Sequence, residues 1–251
     1  MGYAENIQIA DSPQTDSIPG IVTLNYLPIC PNELYKVALE NKDNFKQSTI
    51  LGYKNFRFIN IVNQKHRNTL SLRSSYTKKF EDICRKFLEN NRDLLSRHFG
   101  SEAAEWETFS VALLAYGDGC FFSKHADIGH SFSEKRVISF VYMCHKEPKK
   151  FTGGELVIYS KNGSILKTIE PTNGLLVLFD PNLTHEVKPV HLPSDSFEDR
   201  RFVLVGWALV TYSKSKTISE FTKALLLRSR NIPGISVLYR LYKKYLRPLI
   251  K

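Results

Sequence analysis

Cysteine is scarce in this sequence. Its four residues, Cys30, Cys84, Cys120 and Cys144, are widely scattered and none stands in a CxxC pair. That spacing argues against a disulfide framework and against a thiolate zinc site, and it favours a reducing compartment. Long apolar runs are also missing: none approaches the ~20 residues that a membrane-spanning helix requires. The first twenty residues lack the apolar core of a secretory signal, and Asn6 stands where a myristoylation signal has Ser or Thr. Residues 1–20 are expected to form a flexible lead, and the protein to be cytoplasmic. No internal repeat and no low-complexity tract interrupts the chain.

Acidic residues are nearly absent from one region. Between Lys214 and Lys251 there are ten Lys or Arg and one acid, Glu220, so this stretch holds almost all of the net charge of +10. The rest is close to neutral, so the high overall charge is no argument for nucleic acid, and no reader motif accompanies it. The basic segment 214–251 is expected to be helical over 217–229 and 234–247, divided by Pro233-Gly234. In the second piece Ile235, Leu238, Leu241, Tyr242, Tyr245 and Leu246 share a face opposite Arg240, Lys243, Lys244 and Arg247. Such a helix can pack on the body, make a dimer contact, dock a carrier or substrate protein, or lie on an anionic membrane surface.

What is present is a change of period. Residues 31–43 read as a helix with Pro31 in its first turn and Leu34, Val37 and Ala38 on one face. A longer helix is expected over 77–98, where Phe80, Ile83, Cys84, Phe87, Leu94 and Leu95 recur at helical spacing. Thr77 or Ser75 is available to cap it and Gly100 to stop it. After residue 105 the pattern turns to short strands: 108–116, 136–143, 154–160, 164–169, 174–179, 185–190 and 201–211, with Asn162-Gly163 as a hairpin signal. Short strands at this spacing argue for a sandwich or jelly roll over a βαβ fold. The expected organisation is a helical support region over 21–104, a β core over 105–213, and the basic tail.

Within that core, His125 and Asp127 stand as His-x-Asp, and His185 follows 60 residues later. On extended backbone, residues i and i+2 point the same way, so the first two can grip one ion. Two imidazoles and a carboxylate leave half of an octahedral iron(II) open. The ligand types do not fix the metal by themselves, because imidazole also suits zinc and copper. His66, His98, His130, His145 and His191 show no comparable pairing and are expected to be surface or satisfied polar residues.

The residues around the triad resemble the prolyl 4-hydroxylase-like 2-oxoglutarate/Fe(II) dioxygenases. Tyr116 to Asp127 (YGDGCFFSKHAD) resembles that family's YxxGxxxxxHxD segment, and Arg136 to Met143 its next core strand. Phe151 to Leu156 (FTGGEL) resembles its GGEL turn, Leu178 to Pro189 its distal-histidine segment, and Arg201 to Trp207 its closing strand. These five segments occur in family order. Upstream, Leu24 to Leu51 and Arg73-Ser74 resemble the lead-in of the bacterial and yeast branch.

The resemblance implies a mainly β fold with flanking helices, a double-stranded β-helix (a cupin-like jelly roll). It implies iron(II) on His125, Asp127 and His185, with 2-oxoglutarate as co-substrate, O2 as oxidant and ascorbate as a candidate reductant. Arg201 is expected to bind the far carboxylate of 2-oxoglutarate. It is in phase with Val203, Val205 and Trp207, whereas Arg200 faces the other side of the strand. Tyr116 and Ser139 are expected beside the same co-substrate, and a core role remains open for each. Met143 stands where some relatives carry a second tyrosine. Phe122, Met143 and Trp207 are expected to border the substrate pocket. Related halogenases have Ala or Gly at the Asp127 position, so the acid argues for hydroxylation. The implied substrate is a prolyl group in a protein, peptide or free amino acid, with a non-prolyl small molecule or a non-catalytic binding role as alternatives. The loops 128–135 and 191–199 are expected to lie between strands and border the entrance.

Overall fold

The structure, a computed structural model, describes residues 16–25, 27–54, 57–128 and 134–211. Residues 1–128 and 136–210 make one compact unit. A second unit comprises 129–135 and 211–251, of which only Glu134, Lys135 and Thr211 are described, as ends of strands. Both expected tail helices and most of the 128–135 loop lie outside the described residues.

Eight core strands carry the architecture: β1 Thr108–Tyr116, β2 Phe121–His125, β3 Glu134–Cys144, β4 Leu156–Tyr159, β5 Ile165–Ile169, β6 Leu176–Phe179, β7 His185–Val187 and β8 Arg201–Thr211. They divide between two sheets in the orders β6-β3-β8-β1 and β5-β4-β7-β2. Each pair for which a register is defined runs antiparallel. Apart from the β4–β5 hairpin, consecutive strands alternate between the two sheets, and this is the expected double-stranded β-helix. Its interior is filled by Ala112, Leu114, Tyr116, Met143, Ile158, Val177, Phe179 and Val203, all buried. The strands β1 and β8 start and stop where their Val-, Leu- and Phe-rich runs do, because both faces of each are covered.

The region before residue 105 is less helical than its sequence suggests. Ile21–Leu24 and Asp16–Ile18 extend the larger sheet beyond β6, and Leu70–Leu72 and Lys46–Gln47 extend it beyond β1. The Asp16–Ile18 strand lies within the stretch expected to be a flexible lead; its pairing with Ile21–Leu24 across Gly20 accounts for its order. Arg67–Asn68 pairs with β2 on the smaller sheet, and Ile50–Lys54 with Arg57–Ile61 forms a separate hairpin. The two- and three-residue strands among them are too short to show a period.

Helix α1, Pro31–Glu40, ends earlier than expected and passes into a short 3-10 turn at Lys42–Asn44. The second expected helix is two: α2 Lys78–Asn90 and α3 Arg92–Phe99. Asn91 breaks it, buried with its side-chain amide donating to the Phe87 carbonyl at 2.7 Å. That local bond replaces continued helical pairing. Thr77 occupies the cap position of α2 without a side-chain cap bond. Phe80, Cys84, Phe87 and Leu88 form the buried face of α2, and α2 packs on β1. Tyr35 of α1 meets Phe202 of β8 edge-on at 5.8 Å. The helices therefore cover the outer face of the larger sheet and leave its inner face to the barrel.

Candidate metal centre

Strand pairing brings the three expected ligands together. His125 ends β2 and is directly opposite His185, which begins β7. Asp127 lies two residues beyond β2, where its backbone N–H donates to the Pro181 carbonyl at 2.9 Å. Asp127 Oδ1 is 3.8 Å from His125 Nε2, and Asp127 Oδ2 is 3.6 Å from His185 Nε2. One ligand atom from each of the three falls within 4.8 Å of the others.

The imidazoles are set for coordination by their own backbones. His125 Nδ1 lies 2.7 Å from the Ser123 carbonyl, and His185 Nδ1 lies 2.9 Å from that of Leu183. A carbonyl only accepts, so each Nδ1 carries the proton and each Nε2 presents a lone pair. Burial, reinforced by the nearby His185, pushes the His125 pKa down to about 3. His125 is therefore neutral at ordinary pH, the state a ligand needs.

Asp127 is held from several sides. Ser139 Oγ donates to its Oδ2 at 2.8 Å, and Arg136 Nη1 donates to its backbone carbonyl at 3.2 Å and lies 3.7 Å from Oδ1. Burial would raise the Asp127 pKa, but His185, His125, Arg136 and a hydrogen bond from Trp207 outweigh it, and the net shift is downward. Ser139, expected beside the co-substrate, is thus given a different neighbour, the metal-facing carboxylate. Trp207 bonds the same carboxylate and carries Arg136 over its ring, with Cζ 4.1 Å from the centroid.

Phe122 stacks on His125 with ring centroids 3.5 Å apart and planes at 21°. On the same ring lies Arg67, with Cζ 4.6 Å from the centroid. His66 approaches both edge-on, at 5.5 Å from Phe122 and 6.3 Å from His125. Met143, expected at the substrate pocket, is fully buried in the barrel interior and offers a substrate no accessible surface.

The second half of the site is a buried cation with no ion pair among the described residues, although the charge of Glu155 acts on it. Arg201 is 1% exposed, and its Nε and Nη1 are buried with no hydrogen-bond partner. It is opposite Tyr116 in the β8–β1 register, with Cζ 4.9 Å from the Tyr116 ring centroid. The Tyr116 side chain is also buried, and among the described residues its hydroxyl has no hydrogen-bond partner. Burial raises the Tyr116 pKa, while Arg67 and Arg201 oppose that rise. Room for Arg201 comes from Gly154: at φ +76° a Cβ there would sit 2.9 Å from Arg201 Cδ. Leaving buried guanidinium donors unpaired is costly. This pair of donors, next to a free phenol and inside the barrel, fits the far carboxylate of a 2-oxo acid, and the three ligands fit iron(II). Arg200, on the other face, lies over Phe197 with Cζ 5.0 Å from its centroid.

Sequence reasoning missed Arg67, Arg136 and His66. The first and last come from the pairing of a two-residue strand, which leaves no pattern to read. Arg136 is three residues from Ser139 along β3, out of phase with it by strand alternation, yet both side chains bond Asp127. The 191–199 loop is also corrected. Its Phe197 packs against Phe45 and Phe202, at 5.3 and 5.4 Å, and Tyr35 donates to the Glu198 carbonyl. The 197–198 end of the loop therefore lies on the helix-covered face of β8, while Leu192 at its start packs into the barrel core.

Residues 111–209 match the family model of the 2OG-Fe(II) oxygenase superfamily. Over 114 residues the chain is 39% identical to an uncharacterized PKHD-type hydroxylase of Synechocystis sp., covering 42% of this chain and 37% of that protein. The chain thus spans well under half the length of that relative. Among solved structures, a Pseudomonas putida prolyl-4-hydroxylase superposes with a TM-score of 0.52 at 18% identity, covering 75% of this chain and 91% of the other. A Trichoplax adhaerens prolyl hydroxylase, in complex with a hypoxia inducible factor oxygen degradation domain peptide fragment, gives 0.55 at 17% identity, covering 80% and 86%. At these identities the likeness is one of fold, and the fold is the jelly roll described above.

Proposed function

We propose that this chain, whose residues 111–209 match the 2OG-Fe(II) oxygenase superfamily model, is a 2-oxoglutarate-dependent hydroxylase of an unactivated C–H bond. The observation that carries this reading is Arg201, a buried cation with two unpaired donors in the same barrel as the His125–Asp127–His185 cluster. A metal-binding protein without a co-substrate has no use for it. When bound, iron(II) and 2-oxoglutarate supply oxidation by O2, with release of succinate and CO2.

The chain's own residues do the rest. His125, Asp127 and His185 hold the metal on one side. Ser139, Trp207 and Arg136 fix the carboxylate, and the carbonyls of Ser123 and Leu183 fix the two imidazoles. Arg201 and Tyr116 receive the co-substrate in a compartment closed to water by Met143, Val203 and Phe179. A prolyl group is the first substrate to test, supported by the resemblance of the motifs and by the fold shared with two prolyl hydroxylases. With purified protein, iron(II) and 2-oxoglutarate, succinate formation is expected to rise with the right prolyl peptide or proline derivative and to vanish in His125→Ala. Iron binding without succinate formation, across peptides and free amino acids, would count against the enzyme reading.

A further inference from the structure

A cleft of about 420 Å³ opens outside the metal centre. Its lining comes from three places in the chain: Lys149 to Thr152, His191 to Pro193, and Asp118. None of these residues belongs to the iron-facing cluster or to the Arg201–Tyr116 pair.

The walls are fixed by backbone pairing. Thr152 is opposite His191 and Gly153 opposite Val190 in a short antiparallel bridge. Gly153 allows this approach: at φ +70° a Cβ there would overlap the Pro189 carbonyl oxygen. Asp118 Oδ1 accepts the Leu192 N–H at 2.9 Å. Beside it, the Gly119 N–H donates to the Val190 carbonyl at 2.8 Å, and the Val190 N–H to the Cys120 carbonyl at 3.0 Å. Phe151 is buried and braced edge-on by His145, with centroids 5.6 Å apart. The cleft therefore exists before a ligand arrives, and binding loses little to the ordering of its walls.

The charges of the lining do not cancel. Lys149 and Lys150 have no acid partner among the described residues, and Lys149 Nζ stands 5.5 Å from the Phe151 ring centroid. The nearby charges are engaged elsewhere: Lys146 with Glu198 and Asp199, and Glu147 with His145 Nδ1 at 3.6 Å. The single carboxylate of the lining, Asp118, already has one oxygen on the Leu192 N–H. Two free ammonium groups thus converge on one concave space whose floor is Phe151, Leu192 and Pro193. An apolar floor with a few convergent polar groups is the usual make-up of a small-molecule site.

We propose that this cleft binds a small organic anion. Its acidic group, carboxylate or phosphate, is held by Lys149 and Lys150, and its apolar body rests on Phe151, Leu192 and Pro193. Lysine acts as a point charge and accepts either acid. The volume lies at the small end of the range for ligand pockets, which suits a body of about one ring. The inference stands apart from the oxygenase reading, since it uses neither the metal ligands nor Arg201.

The test uses the full chain without metal or 2-oxoglutarate. Phenyl phosphate and benzoate are titrated in separate series, followed by the NMR line widths of the ligand. Inorganic phosphate and benzyl alcohol serve as controls that carry only the charge or only the ring. Saturable binding of phenyl phosphate or benzoate is expected, with a Kd of about 1 mM or tighter for a ligand of this size, and several-fold tighter than either control. The double variant Lys149→Gln/Lys150→Gln should weaken it about tenfold, from two exposed charge contacts of a few-fold each. Asp118→Asn should strengthen it a few-fold. The amide oxygen still accepts the Leu192 N–H, while the carboxylate of the lining is gone. Thermal unfolding checks that each variant is folded. Either acid supports the proposal, and the tighter one names the group that the natural ligand carries. Absence of saturation overturns it, as does equal binding of benzyl alcohol or of inorganic phosphate. So does an affinity indifferent to both substitutions, which is what binding at Arg201 would give. With neither iron nor 2-oxoglutarate present, such a failure leaves the oxygenase reading untouched.

Discussion

Two single residues decide how well the site is held. Ser139 is small, buried and easily read as filler, yet its hydroxyl donates to Asp127 Oδ2. Its sequence neighbours suggested a place by the co-substrate, because phase along a strand tells which face a residue uses but not what stands on that face. Ser139→Ala should reduce metal affinity roughly 10–100-fold, as loss of a partner behind a metal ligand commonly does. Competition with a chelator would read this directly, and unchanged affinity would remove Ser139 from that role. Gly154 acts by absence. Gly154→Ala would put a methyl 2.9 Å from both Arg201 Cδ and Val190 Cγ2, at a φ of +76°. A stability loss of about 1–3 kcal/mol is expected from the backbone alone. Weaker 2-oxoglutarate binding should accompany it, measured as a rise in its KM larger than any fall in kcat. A variant with normal KM would show that Arg201 can shift without consequence.

At the scale of elements, β2 and β7 matter most. Their pairing sets His125 opposite His185 and buries His125 in the neutral state. The cost appears in acid. The folded pKa of His125, about 3, lies below the ordinary value of roughly 6.5. As pH falls, the unfolded chain takes up the proton first, so stability present above about 6.5 is lost progressively down towards 3. Asp127, whose pKa is also depressed, adds a loss of the same sign at the acid end. The metal-free protein should therefore show a falling Tm between pH 7 and pH 4, by about 2–4 °C for each kcal/mol lost. His125→Gln should flatten that profile. A wild-type Tm that is level over the same range would mean that His125 is not buried neutral. Several of the elements that escaped the sequence, such as Arg67–Asn68, are only two or three residues long. Their strand character comes only from the neighbour they pair with, which also explains how Arg67 reaches Phe122 unannounced.

For the whole molecule, the division of labour between the sheets is what makes a site. The larger sheet supplies Arg201, Tyr116, Ser139 and Trp207, and the smaller supplies His125 and His185. No stretch of chain holds both sets. Among the described residues no helix is long and apolar enough to cross a membrane. The sequence by itself determined the strand-rich core, the grouping of His125, Asp127 and His185, and the placing of Arg200 and Arg201 on opposite faces. Those follow from local periodicity, from i/i+2 geometry and from motif spacing, all carried by near neighbours. Only the tertiary structure decided that Asn91 divides a helix, that the 197–198 end of the 191–199 loop lies on the helix-covered face of β8, and that Ser139 serves Asp127. Contacts between residues tens of positions apart depend on which strands pair and in what register, and burial then fixes which charges find a partner.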